Sequence, residues 1–169
     1  MLDTVDQIES SRRQRPADAR PGEIAAALRA LAFASSDDAA QSAYHRVLFA
    51  IGNDHAGSYF PIVLDAVPFL AEILESGPRR SRARTLDVLI DLVASFGPDP
   101  DAITQDGILP EDLPAALRAR VETLRPILQG LMADSSAPDV QALARDLIEC
   151  LAEDAAQPGV APDGASPRR

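Results

Sequence analysis

Lysine and tryptophan do not occur in this chain, cysteine occurs once and histidine twice. Each scarcity closes a class of function. A lone thiol, Cys150, cannot make an intramolecular disulfide or a cysteine metal cluster, and it reads as a small residue on a helix flank. His45 and His55 are the only imidazoles, and HExxH, GxSxG and glycine-rich phosphate-loop patterns are all missing, so neither a catalytic residue set nor a metal or cofactor site is expected. Aromatic residues make up 4% of the chain, which leaves a core to be built from Leu, Ile, Val and Ala, residues suited to helices and helix interfaces. No apolar run reaches the ~20 residues that span a bilayer. Residues 1–6 have neither a basic stretch nor an apolar one for export, so the cytoplasm is the expected compartment.

Positive charge is also short. Sixteen basic residues, all arginine, face 26 acidic ones, for a formal charge of −10 and a pI near 4.5. The all-arginine usage fits a G+C-rich coding sequence. The acidic balance argues against free nucleic acid or an anionic membrane as ligand, because phosphate binding rests on clustered positive charge. A basic protein partner is electrostatically easier.

What the chain does have is an internal repeat. Leu28, Leu70 and Leu128 correspond, as do Leu31, Ile73 and Leu131; Val47, Leu89 and Leu147; Leu48, Ile90 and Ile148; and Ile51, Val93 and Leu151. The spacing is constant inside each unit, with 42 residues from Leu28 to Leu70 and 58 from Leu70 to Leu128. Each unit reads as two helices, and a period in the forties is that of HEAT and armadillo repeats, where hairpins stack because one alone cannot bury its apolar face. The expected fold is therefore all-α, a short α-solenoid of three HEAT-like hairpins over residues 22–156.

The first unit, 23–52, pairs helices over 23–34 and 38–52, with Pro21-Gly22 opening one and Ser35 to Asp38 offering N-caps for the other. The second, 59–96, pairs 59–76 with 79–96 and stops at Gly97-Pro98. The third, 111–154, pairs 111–133 with 139–154. Pro68 and Pro126 recur in register and read as a designed bend in the first helix of each unit. Ahead of the repeats, Leu2, Val5 and Ile8 have helical spacing, and 10–21 reads as linker, so 1–21 is set apart as an N-terminal helix and linker. The tail 157–169, rich in Pro, Gly and Ala, is expected to be disordered. The acidic connection 97–110 is the one insertion that breaks the repeat, and long connections of this kind are often functional.

Several smaller patterns have ordinary alternatives. Asp99-Pro100-Asp101 with Asp106-Gly107 has some of the composition of a calcium loop, but neither the alternating ligands nor the terminal Glu. His55 sits in a turn after Asn53-Asp54, open to readings as a solvated side chain, a partner contact or a metal ligand. Asp87 and Asp91 lie one helical turn apart, as on many solvated faces.

Stacked hairpins would put the turns inside units along one edge, the connections between units along the other, and the second helices on one face. The between-unit edge then collects Asp54, Asp99, Asp101, Asp106, Glu111, Asp112, Glu153 and Asp154. The within-unit edge holds Arg79, Arg80, Arg82 and Arg84 between Asp37-Asp38 and Asp134/Asp139. Cations at a helix N-terminus oppose the macrodipole, so these arginines either pair with acids of neighbouring units or serve a partner. On the second-helix face, Phe49, Asp91 and Glu149 form one row and His45, Asp87 and Arg145 another. At ~100° per residue Phe49 points away from most of its helix's core stripe, so it is either covered by the N-terminal segment or an interface anchor.

The run Asp54-His55-Ala56-Gly57-Ser58-Tyr59-Phe60-Pro61, leading into Ala66-Val67-Pro68-Phe69-Leu70-Ala71-Glu72-Ile73-Leu74, resembles small bacterial HEAT-repeat proteins, which commonly show a His/Gly turn, a Tyr and then an Ala-Val-Pro-Phe-Leu helix. The likeness covers residues 44–95 best. Some of those proteins resemble immunity proteins encoded beside secreted antibacterial toxins, which they bind and neutralise in the cytoplasm. The resemblance implies a non-enzymatic binding protein, and the acidic balance a basic partner such as a nuclease or other nucleic-acid-modifying toxin domain. A general HEAT-type scaffold, binding a helix or peptide through Asp87, Asp91, Arg145 and Glu149, is the alternative. Partner contacts are expected at Asp99, Asp101, Asp106, Glu111 and Asp112, at Asp87, Asp91, Glu149 and Phe49, or at Arg79, Arg80, Arg82 and Arg84.

Overall fold

A computed structural model describes residues 1–153. Asp154 and the tail expected to be disordered lie outside the described residues. The first hairpin joins α1 (Glu23–Ala32) to α2 (Asp37–Ile51), the second α3 (Val63–Ser76) to α4 (Arg79–Ile90), and the third α6 (Arg125–Ala133) to α7 (Pro138–Glu153), with α5 (Leu113–Glu122) leading into α6. Capping follows the sequence. Gly22 takes φ 78° ahead of α1, a left-handed conformation that favours glycine. Ser36 Oγ accepts the Ala39 N–H at 3.1 Å at the start of α2, where Asp37 and Asp38 suit the positive end of the helix.

The repeat rows form the core. Leu28, Leu70 and Leu128 are fully buried, as are Val47, Leu89 and Leu147, and the rows of Leu31 and Ile51 are buried throughout. The Leu48 row fades outward, because Ile90 and Ile148 pack only partly against the core. Each hairpin's helices pack on each other; α4 lies against both α2 and α7, and α3 touches α1, α5 and α6. No described helix is long and apolar enough to cross a membrane.

Three details depart from expectation. The recurring proline has two different effects. Pro68 is accommodated inside a continuous α3, whereas Pro126 opens α6, and the helix expected over 111–133 is split at Thr123-Leu124, whose N–H groups bond back to Arg120 and Val121 at 3.3 and 2.9 Å. The chain is also not purely helical. Two-residue strands β1 (Gly52–Asn53), β2 (Ser58–Tyr59) and β3 (Gly97–Pro98) form a small sheet in that order, β1/β2 antiparallel and β2/β3 parallel. Tyr59 is thus in a strand and α3 begins only at Val63, while α4 ends in a π-helical turn, Asp91–Ser95, closed by Phe96 N–H on the Asp91 carbonyl at 2.8 Å.

The third departure lies in the N-terminal segment, where the expected leading helix is present as a 3-10 turn but the stretch after it is not a free linker. Leu2, Val5 and Ile8 are buried against α1 and α3 through a short 3-10 helix, Val5–Ser10. The stretch expected as linker is seated as well. Ser11 Oγ donates to Asp65 at 2.5 Å, and the Gln14 carbonyl accepts the Ile62 N–H at 3.0 Å just ahead of α3.

Candidate functional site

The groove beside the small sheet begins with Gly52. A Cβ there would lie 2.0 Å from the Ser58 carbonyl oxygen, so only glycine lets β1 approach β2 this closely. The turn that follows is shaped by Asn53, whose Oδ1 accepts the Ala56 N–H at 3.1 Å, and by Gly57 at φ 63°. It sets the His55 ring edge-on to Phe49, centroids 4.9 Å apart at 80°. Phe49 remains 42% exposed.

The 97–112 connection closes on this hairpin. The Ser58 hydroxyl donates to Asp99 Oδ2 at 2.6 Å, the Asp99 N–H donates to the Tyr59 carbonyl at 2.8 Å, and Asp99 Oδ1 accepts the Asp101 N–H at 3.0 Å. Asp99 therefore holds the fold at this edge. Further along, Asp106 and Gly107 at φ 53° and 77° make the tight turn of a Gln105/Ile108 bridge. The N-terminal arm ties the loop down. Gln14 Nε2 donates to the Asp101 carbonyl at 2.9 Å, Gln14 Oε1 accepts the Ile103 N–H at 2.8 Å, and Arg13 spans Asp65 and Asp106 at 3.1 and 3.3 Å.

Past Gln14 the arm runs beside Phe49. An open groove of about 510 Å³ results, lined by the arm residues Pro16 to Arg20 and Glu23, by Phe49, Gly52, Asn53, His55 and Phe60, and by Asp99 and Asp101. Phe49 and the acidic loop, expected on separate surfaces, meet here, and the N-terminal segment shares the groove with Phe49 without covering it. Four carboxylates line it against one guanidinium, Arg20. Asp99 is held as above and Glu23 accepts the Arg20 N–H at 2.8 Å, whereas the Asp18 and Asp101 carboxylates meet no partner among the described residues. Asp18, Arg20 and Phe60 were not foreseen as site residues. For Asp18 and Arg20 the signal was the apolar Leu2-Val5-Ile8 triplet, whose burial obliges the following residues to return along the body to reach α1; Phe60, between β2 and α3, had none.

The other expected residues fall elsewhere. Glu111 and Asp112 are exposed in a 3-10 turn, Pro110–Asp112, away from the groove lining, and neither carboxylate has a partner among the described residues. On the second-helix face Asp91 accepts from the Tyr44 hydroxyl, Asp87 pairs with Arg84 at 2.7 Å, and Glu149 is exposed on α7. Burial first, then the Asp91 hydrogen bond and the charges of Asp91, Asp54 and Asp87, hold the Tyr44 phenol well above its ordinary range. His45 Nδ1 lies 2.6 Å from Asp54 and its Nε2 3.0 Å from the Gln41 amide nitrogen.

The arginine edge is engaged internally. Arg79 Nε donates to Asp139 at 2.7 Å, Arg80 donates to the Ser35 carbonyl and lies 3.7 Å from Asp37, and Arg82 Nη2 donates to the Glu75 carbonyl at 2.8 Å. Arg79 and Arg80 thus meet acids of neighbouring units, whereas Arg82 and Arg84 are held within their own hairpin, by the Glu75 carbonyl and by Asp87. Among the described residues no three His, Cys, Asp or Glu side chains group as a metal site. Compared with known proteins, the chain matches no family model, no curated protein and no solved structure.

Proposed function

We propose that this chain is a non-enzymatic protein-binding module, built as a short solenoid of three HEAT-like hairpins, that takes a basic protein partner on its loop edge. The single observation behind this reading is the groove where an exposed Phe49 meets unpaired carboxylates, on a chain of net charge −10. An aromatic anchor ringed by acids is the composition that gives affinity at the centre of an interface and steering at its rim. The more specific proposal is an immunity-type role in the cytoplasm against a toxin domain such as a nuclease or other nucleic-acid-modifying enzyme. It rests on the resemblance over residues 54–74. No direct contact with nucleic acid or membrane is part of it.

The scaffold reading has its own support in a second groove of about 390 Å³ along α2, α4 and α7, lined by Ala40, Ala83 and Leu143 among Asp37, Arg80, Arg84, Asp87 and Asp139. Its charges are already paired, Asp37 with Arg80, Asp87 with Arg84 and Asp139 with Arg79 outside the lining, which leaves less to offer a ligand. The two readings separate in one experiment: co-purification with a basic toxin domain, taken from beside this gene if one is encoded there, repeated with Phe49→Ala and with Leu143→Ala. Loss with Phe49→Ala alone supports the loop edge. Loss with Leu143→Ala alone moves the site to the second-helix face, and the absence of any toxin gene beside this one removes the immunity proposal.

A further inference from the structure

We propose that the groove between the N-terminal arm and the β1–β2 hairpin is a socket for an arginine-bearing loop of the partner, with Phe49 as the stacking surface and Asp18 and Asp101 as the carboxylates that receive the guanidinium. This deepens the binding-module reading and rests on it.

Size, charge and ring chemistry converge on this occupant. About 510 Å³ lies within the ~300–1,000 Å³ of ordinary ligand pockets and admits a side chain together with a piece of its loop. The lining carries four carboxylates against one resident cation, which disfavours an anionic ligand. Asp99 and Glu23 are already fixed by hydrogen bonds from Ser58 and from the Arg20 backbone, so they supply field and shape. Asp18 and Asp101 are unpaired among the described residues and can each accept from a guanidinium.

Phe49 selects among cations. Its outward position is at odds with a solvated helix face, and among the described residues its ring meets one other ring, the edge-on His55. A guanidinium is planar, weakly hydrated and stacks on aromatic faces while its N–H fork meets carboxylates at the ring's side. A lysine ammonium is compact and strongly hydrated, and gains less from the same surroundings. The socket is also pre-organised. Its two walls are held by Gln14 on the 101–105 loop and by the glycine-dependent closeness of β1 and β2, so little ordering remains for binding to supply.

The test uses the full chain and three capped tripeptides, acetyl-Gly-X-Gly-amide with X arginine, lysine or citrulline, followed by amide NMR shifts at low salt. The arginine probe should give saturable shifts at Gly52, Asn53, His55 and Asp101, the lysine probe weaker ones, and the neutral, isosteric citrulline none. Phe49→Leu keeps the apolar bulk and removes the π face, and it should weaken the arginine probe about two- to fivefold and abolish its advantage over lysine. Asp18→Asn with Asp101→Asn should remove binding while the remaining amide spectrum stays native. Equal binding of lysine and arginine, shifts with citrulline, or indifference to both sets of variants would overturn the socket. Its failure is distinguishable from failure of the parent reading: a basic partner that still binds both sets of variants overturns the socket alone. Selective arginine binding by a chain that takes no basic protein overturns the parent reading alone.

Discussion

The side chains of four arginines within residues 79–84 all find partners, while the carboxylates of Asp101, Glu111 and Asp112 on the long connection find none among the described residues. Both edges break a local preference, one by placing cations at a helix N-terminus and the other by concentrating like charge on one connection. On the arginine edge the breach is repaired inside the fold, since Arg79 reaches α7 and Arg80 reaches the α1–α2 turn. On the acidic edge the repair is partial, reaching Asp54 through His45, Asp99 through Ser58 and Asp106 through Arg13. An unusual charge cluster is therefore informative about partners only after its internal contacts have been subtracted. By that measure the acidic edge is the one with something left over.

The most destructive way to break the comparison is to remove what both edges are mounted on. Leu89 is fully buried on α4 between α2 and α7, and Leu89→Ala should cost about 2–5 kcal/mol, read as a fall in the denaturant midpoint with both edges losing order together. A smaller and one-sided lesion is Gly52→Ala. The new Cβ would meet the Ser58 carbonyl, so the hairpin must open at a cost of about 1–3 kcal/mol. Amide shifts at Ser58, Asp99 and Asp101 should change, with those at Arg79 to Arg84 left in place. Equal disturbance at both edges would show that the two are not independent.

Alkaline titration sharpens the contrast from the side of the two tyrosines. Tyr59 is 1% exposed under the acidic edge, and burial pushes its phenol up to about 12; Tyr44 is raised further by burial and by Asp91. Since the ordinary value is about 10, the neutral phenol is favoured by the folded state. Its contribution is complete below pH 10 and is lost as pH rises toward 12. Ultraviolet absorbance should therefore record almost no phenolate in the native protein near pH 10, and the main rise should coincide with unfolding. A reversible native-state transition at pH 10 would place a tyrosine in solvent and contradict the packing of the edge.

How much of this was legible in the sequence divides along the same line. The rows through Leu28, Val47 and Ile51 could be read because helical packing repeats a local pattern, and the three hairpins stand where that pattern put them. Pro126 was visible as a helix breaker but its effect was not, since whether a proline bends a helix or starts a new one depends on the turn ahead of it, here Thr123-Leu124. The groove was the least legible part. Gln14 reaches Asp101, Ile103 and Gln105 across about ninety residues of sequence through amide contacts that leave no periodic trace. The arm therefore had the composition of a linker. Phe49 and Asp99 were each singled out, but nothing local says that they line one cavity.

The smallest effect on stability belongs to the residues argued to matter most for binding. The Asp101, Glu111 and Asp112 carboxylates hold no hydrogen bond or ion pair among the described residues, so reversing all three to arginine should lower the melting temperature by only a few degrees, most of it from Asp112, which stands at the N-terminus of α5 where negative charge suits the helix. Asp99 and Asp106 are unsuited to this purpose because Ser58 and Arg13 depend on them. Rim charges act chiefly on encounter, so the triple reversal should slow association with a basic partner by tenfold or more at low salt, on the order expected when steering is removed. The difference from the unaltered chain should shrink as salt shortens the screening length to ~8 Å at physiological ionic strength. Asp101 also lines the groove beside Phe49, so part of the effect should appear in dissociation, whereas reversing Glu111 and Asp112 alone should leave dissociation little changed. Stopped-flow association measured across a salt series checks both parts. An unchanged association rate at low salt would mean that the leftover charge of the acidic edge is incidental and that the two edges differ in structure but not in use.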